Sequence, residues 1–210
     1  MSTQPIQRSA GRAFWLRQLH QWHWISSALC LIGMLAFAIT GFTLNHAGQI
    51  EASPHTTHRS ASLPAPLLRA LAGQAERKSM AVPTVIVDWV RETLDVDVSG
   101  YSGDLSDDEF YVSLPRPGGD AWLSIDRQTG KVDFERTDRG WISYLNDLHK
   151  GRNAGAAWGW FIDVFALACV IFSVTGLLLL KMHAAQRGAT WPLVAMGLLL
   201  PLLLALIFIH

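Results

Sequence analysis

Five of the eight histidines in this 210-residue sequence stand at the ends of long apolar runs. His20 and His23 precede the first run, three residues apart and so neighbours on one helix face. His46 follows that run, His149 leads into the second, and His183 closes it. A continuous helix from His23 to His46 would rise about 35 Å, slightly more than the hydrocarbon core of a bilayer, so these two mark opposite faces. If the first two runs pack as neighbouring helices, His46 and His149 approach each other at one end. At the other end His183 approaches His20 and His23. Neutral imidazole binds iron, zinc and copper alike, and spacing alone does not choose among them. Paired rings projecting from neighbouring membrane helices suit the axial positions of b-type haem, one nitrogen from each side. Two haems at opposite ends of a bundle would carry electrons across the membrane. The competing reading makes these histidines interfacial anchors with apolar bodies and polar tips, like the tryptophans beside them.

The elements that must position these rings follow from hydropathy. Hydrophobic residues make up 50% of the chain and charged residues only 16%, a balance tilted away from ordinary soluble domains. Runs from Ile25 to Leu44, Trp158 to Leu180 and Trp191 to Ile209 are each about 20 residues long, enough to cross as helices. The first is longer than a signal-peptide core and no small-residue cleavage site closes it, so it is expected to be a retained anchor. Trp22, Trp24, Trp158, Trp160 and Trp191 sit at the run edges, where the interface favours amphipathic rings. Pro192 is placed in the first turn of the third helix, where a missing N–H costs nothing, and Pro201 lies inside it. Arg8, Arg12 and Arg17 precede span one, and Lys181 and Arg187 lie between spans two and three. The positive-inside rule then makes both regions cytoplasmic and the long central segment external. Small residues such as Gly33, Gly41 and Gly176 let helices or a flat macrocycle approach the backbone. Asp163 is the one carboxyl within span two, either a functional group or an interfacial one paired with Arg152.

Lys plus Arg and Asp plus Glu each number 17, leaving no net charge to draw the chain to nucleic acid. Cys30 and Cys169 fall inside separate apolar runs and are expected to be small packing residues. No Cys-x-x-Cys-His segment occurs, which excludes covalent c-type haem. In the central segment, residues 46–66 are rich in Ser, Thr, Pro and His and are expected to form a linker, with His55 and His58 solvated. Val85 to Leu94 is compatible with a short helix. Phe110 to Leu114, Ala121 to Ile125 and Lys131 to Glu135 alternate as strands, joined by turns at Pro115–Asp120 and Asp126–Gly130. The expected unit is a small α+β domain with a three-stranded meander, too small for a deep pocket of its own.

Leu19-His20-Gln21-Trp22-His23-Trp24, Ile39-Thr40-Gly41, Leu145 to Arg152 and Ser173 to Leu177 together resemble the PepSY-associated transmembrane helix proteins. The Tyr111-Val112 strand and the turn from Ile125 to Val132 resemble the PepSY module of that family. The three apolar runs and the resemblance together give the expected fold: a membrane protein with three transmembrane helices and a small α+β PepSY-like periplasmic domain inserted between helices 1 and 2. Its divisions would be a cytoplasmic segment 1–23, helix 1 over 24–45, a periplasmic linker 46–66 and a PepSY-like domain 67–140. An interfacial segment 141–156, helix 2 over 157–181, a cytoplasmic loop 182–190 and helix 3 over 191–210 complete it. Larger members are similar to haem-containing inner-membrane proteins that reduce ferric siderophores in the periplasm. That implies His46 and His149 for an outer haem b, and His20 or His23 with His183 for an inner one, His20 being the residue within the family-like Leu-His-x-Trp element. The substrate class implied is ferric iron or a ferric siderophore. This chain has three spans where the larger reductases have four or more, and no Gly-x-Gly-x-x-Gly follows a strand. Electrons are therefore expected from quinol or a separate cytoplasmic donor, and a homodimer is expected to complete a four-helix haem bundle. The alternative is a non-enzymatic membrane accessory protein whose PepSY-like domain binds or restrains a periplasmic partner.

Overall fold

Apolar side chains cover every side of three long segments, and each of them is a helix. In the computed structural model, which describes residues 6–50, 53–184 and 187–209, α1 spans Ile6–Asn45, α5 Gly155–His183 and α6 Thr190–Phe208. All three are long and apolar enough to cross a membrane, the first over the window Gly11–Asn45. No residue of α6 is buried, as suits a helix whose surroundings are lipid or another protein rather than its own chain. Helix α1 begins well before the expected span. From Arg12 onward it meets neither proline nor glycine until Gly33, so nothing in its sequence stops the helix at the polar boundary. Residues 1–5 of the expected cytoplasmic segment and His210 lie outside the described residues.

Between α1 and α5 lies a six-stranded antiparallel sheet in the order β1-β6-β5-β4-β3-β2. Its strands are β1 (His55–Ser62), β2 (Arg77–Ala81), β3 (Ser102–Leu105), β4 (Glu109–Ser113), β5 (Gly119–Asp126) and β6 (Lys131–Asp138). The expected meander is its β4-β5-β6 half. Helix α3 (Thr84–Leu94) matches the expected helix, while α2 (Ala65–Ala72), β2 and β3 are additional. Ile86, Val87, Val90 and Leu94 of α3 pack with Phe110, Val112, Leu123, Ile125 and Val132 of the sheet in one buried core. Strands β3 to β6 contribute alternate residues to that core, as a sheet wet on its other face must.

The expected linker is corrected by β1, which runs antiparallel to β6 in unbroken register from His55↔Asp138 to Ser62↔Lys131. Its residues carry almost no hydrophobic alternation because β1 is an edge strand exposed along most of its length. The ladder hydrogen bonds and β-branched Thr56 and Thr57 hold it, not burial. His58 is accordingly a strand residue, its Nε2 3.2 Å from Glu135.

The chain divides into two compact units, Met1–Ala36 with Phe161–His210, and Phe37–Trp160. The second holds the sheet, the last turns of α1, and a short helix α4 (Trp141–Lys150). The expected interfacial segment 141–156 is thus mostly helical. Gly140 at φ +86° starts α4 and Gly151 at φ +66° ends it, two left-handed positions that only glycine adopts cheaply.

Candidate histidine sites

In the first unit, α1 and α5 approach closely enough that a side chain at Gly33 would collide with the Phe165 ring. Near the N-terminal half of α1 the rings of His20 and His183 meet edge to face, with centroids 5.9 Å apart and planes at 84°. Each ring is tied to its own helix: His20 Nδ1 donates to the Leu16 carbonyl at 2.8 Å and His183 Nδ1 to that of Leu179 at 2.9 Å. A carbonyl can only accept, so Nδ1 carries the proton and Nε2 keeps its lone pair in the neutral ring. His23 takes a different direction. Its ring stacks on Phe172 at 4.6 Å, and Nδ1 lies 3.2 Å from the Phe172 carbonyl and 3.0 Å from Thr175 Oγ1. Of the two candidates on this side, His20 is the one whose ring meets His183.

In the second unit α4 is pinned from two directions. The Asn146 side-chain oxygen accepts from the Thr43 hydroxyl of α1 at 2.8 Å. Asp147, also buried, accepts the Gly118 N–H at 2.8 Å, which fastens α4 to the β4–β5 turn. The Trp158 indole N–H caps the Leu148 carbonyl at 2.8 Å. These bonds set His149, whose Nδ1 is 2.7 Å from Thr40 Oγ1 and whose ring lies 4.9 Å from that of Phe37. His46 turns back on α1, with Nδ1 3.0 Å from the Phe42 carbonyl and its ring 4.4 Å from the Phe42 ring.

His46 and His149 are not brought together in the way their positions along the chain suggest. Among the described residues no ring contact or hydrogen bond joins them. The reason is rotational: six residues separate Thr40, which receives His149, from His46, and at 100° per residue that sets them about 120° apart around α1. No group of three or more metal-ligating side chains occurs among the described residues.

The charged groups of the sheet domain serve turns and edges. Asp97 is held down at about 2, chiefly by the Ser99 N–H and then the Ser99 hydroxyl, with Arg91 a smaller influence. Thr129 and Gln128 N–H groups lower Asp126, Lys131 and Ser60 lower Asp133, and the Gly140 N–H followed by Arg116 lowers Asp138. Asp163 is exposed on α5. An open cleft of about 320 Å³ lies beside the start of α4, lined in part by Ala47, His55, Trp141 and Asn146.

Sequence reasoning missed Thr43, Asn146 and Asp147, which anchor α4. Thr40 and Thr175 entered it only within the family-like segments, and here each hydroxyl touches a histidine. A family model for PepSY_TM-like proteins matches residues 14–210. Comparison with curated proteins and with solved structures found no match.

Proposed function

This chain belongs to the PepSY_TM-like family, and on that footing we propose that it is a b-type haem electron-transfer protein of the bacterial inner membrane that delivers electrons to ferric iron or a ferric siderophore in the periplasm. The observation that carries the reading is the state of five imidazoles. His20, His46 and His183 each donate Nδ1–H to a carbonyl of their own helix, and His23 Nδ1 has the Phe172 carbonyl and Thr175 as partners. His149 Nδ1 bonds Thr40. Among the described residues Nε2 of all five has no hydrogen-bond partner. A ring tied at one nitrogen and bare at the other is the arrangement in which histidine ligates a metal.

Of the five, His20 and His183 are the two whose rings meet, with centroids 5.9 Å apart, and they are the pair we assign to one haem iron. The Leu16 and Leu179 carbonyls fix the direction of each ring before any ligand arrives. His46 and His149 do not form such a pair within one chain, so a second haem at His149 calls for a ring from a second copy in the proposed homodimer. Bound haem would supply the one-electron couple; the chain supplies ligands, apolar surroundings and an external domain. Electrons would enter from quinol or a separate cytoplasmic donor.

The test is an absorption spectrum of the full chain purified in detergent with haem available during expression. Reduction with dithionite should give the sharp α-band of low-spin haem, and His20→Ala and His183→Ala should each reduce it strongly. A featureless reduced spectrum in the wild type would refute the proposal and leave the accessory-protein reading, in which the sheet domain binds a partner.

A further inference from the structure

Helices α1 and α5 contain the same five-residue pattern at the places where they touch a histidine. Phe37-Ala38-Ile39-Thr40-Gly41 and Phe172-Ser173-Val174-Thr175-Gly176 are both Phe-x-x-Thr-Gly. In a helix the phenylalanine and threonine are three apart, so both lie on one face, and the glycine flanks the threonine without a side chain. Each segment receives an imidazole from a different helix: His23 of α1 at the α5 copy, His149 of α4 at the α1 copy.

The contacts correspond atom by atom. The threonine Oγ1 faces Nδ1 at 3.0 Å for His23 and 2.7 Å for His149. The glycine faces Cε1, where an added Cβ would come within 3.2 Å of His23 and 3.5 Å of His149. The phenylalanine ring lies against the imidazole, stacked at 4.6 Å in one case and tilted by 44° at 4.9 Å in the other. In both, a backbone carbonyl of its own helix lies within reach of the threonine hydroxyl, Ile171 at 2.7 Å or Phe172 at 3.0 Å for Thr175 and Phe37 at 3.2 Å for Thr40, and we assign the hydroxyl proton to it. Toward the histidine it can then only accept. His23 has a second reason to carry its proton on Nδ1, since the Phe172 carbonyl also lies 3.2 Å from that atom.

We propose that the two Phe-x-x-Thr-Gly segments are matched imidazole receivers, and that Thr175 and Thr40 are positioning residues which hold His23 and His149 with Nδ1 protonated and Nε2 presented as a metal-binding donor. The proposal rests on the haem-binding function above and deepens it. It makes His23, not only His20, a donor of that function, and the counterpart of His149. Sequence spacing could not separate His20 from His23, because both lie on one side of one helix. The receivers separate them: His20 meets His183, and His23 meets a device that occurs a second time around His149.

The experiment uses the full chain in detergent with ¹⁵N-labelled histidine, first without haem and at a pH where the rings are neutral. Ring-nitrogen spectra should show His23 and His149 as Nδ1–H. Thr40→Val should remove that signature from His149 alone, whereas Thr175→Val should only weaken it at His23, where the Phe172 carbonyl still accepts; Thr→Ser at either position, which keeps the hydroxyl, should restore it. In haem-loaded protein the valine variants should bind haem about 10- to 100-fold more weakly, the usual cost of losing such a support, with serine recovering most of it. Nε2–H rings in the wild type, or a Thr40→Val variant whose His149 keeps Nδ1–H, would overturn the receivers. Absence of haem from the wild type would instead remove the function proposed above, and the tautomer result would still decide the receivers on its own.

Discussion

Replacing Gly118 with alanine tests whether the sheet domain holds α4, and through it His149, in place. Gly118 sits at φ +73° in the β4–β5 turn, its N–H bonded to Asp147 of α4 at 2.8 Å. A Cβ there would come within 2.8–2.9 Å of Tyr144 N, Cα and Cβ. Carbon contacts settle at about 3.5–4.0 Å, so the turn and the helix must separate by more than half an ångström. The left-handed backbone costs an alanine about 1–2 kcal/mol. Holding the clash costs about 1–3 kcal/mol, and relieving it strips a buried hydrogen bond worth a similar amount. Gly100 is the control. It has nearly the same φ, +76°, with nothing within 4 Å of its added Cβ, so it pays the backbone cost alone. The gap between the two variants is then about 1–3 kcal/mol, or roughly 3–10 °C in the unfolding midpoint for a chain of this size. Thermal unfolding of the full chain in detergent, followed by circular dichroism, measures it. Asp147→Ala should add little on top of Gly118→Ala, since both lose the same bond. Gly118→Ala and Gly100→Ala unfolding at the same temperature would refute the claim that this turn clamps α4.

Acid should weaken the sheet domain in a narrow window. Asp97, Asp126, Asp133 and Asp138 are all lowered from the ordinary 3.8, Asp97 to about 2, so their contribution is present above about pH 4 and is lost as pH falls toward 2. Carboxyl NMR titration should find Asp97 still depressed in Arg91→Gln, because the Ser99 N–H is the larger cause; a return to 3.8 would assign the effect to the arginine instead. Reporter fusions after His183 and after His210 should give opposite sidedness, the first cytoplasmic. Equal reports from both would mean that α6 does not cross.

Much of the architecture could be read from composition and period. The three apolar runs became three helices because only a helix satisfies all backbone groups within a single apolar segment. The β4-β5-β6 meander was visible because its strands alternate and its turns carry Gly118 and Gly130 at positive φ. The rest was hidden for identifiable reasons. Strand β1 is an exposed edge, so its sequence answers to a ladder and not to a core. Strand β2 has one buried residue in five, Met80, and its pairing with β3 is broken by a bulge between Arg77 and Met80, leaving no period to detect.

The histidine sites show a different kind of gap. Position along a span was read correctly enough to bring His20 to His183, but pairing His46 with His149 used only the coordinate along the helix axis. The angular coordinate decides who meets whom, and around α1 it turns His46 away from the face that holds Thr40. That face could not be chosen from hydropathy, since α1 is apolar on all sides and offers no stripe to orient it. What does orient it is a small polar group among large apolar ones. Thr40 and Thr175 each follow a phenylalanine by three residues and precede a glycine, and no other segment of the chain repeats this pattern. One copy lies in the helix that supplies His23 and receives His149, the other in the helix that receives His23. Helix α1 is thus the donor of one contact and the receiver of the other.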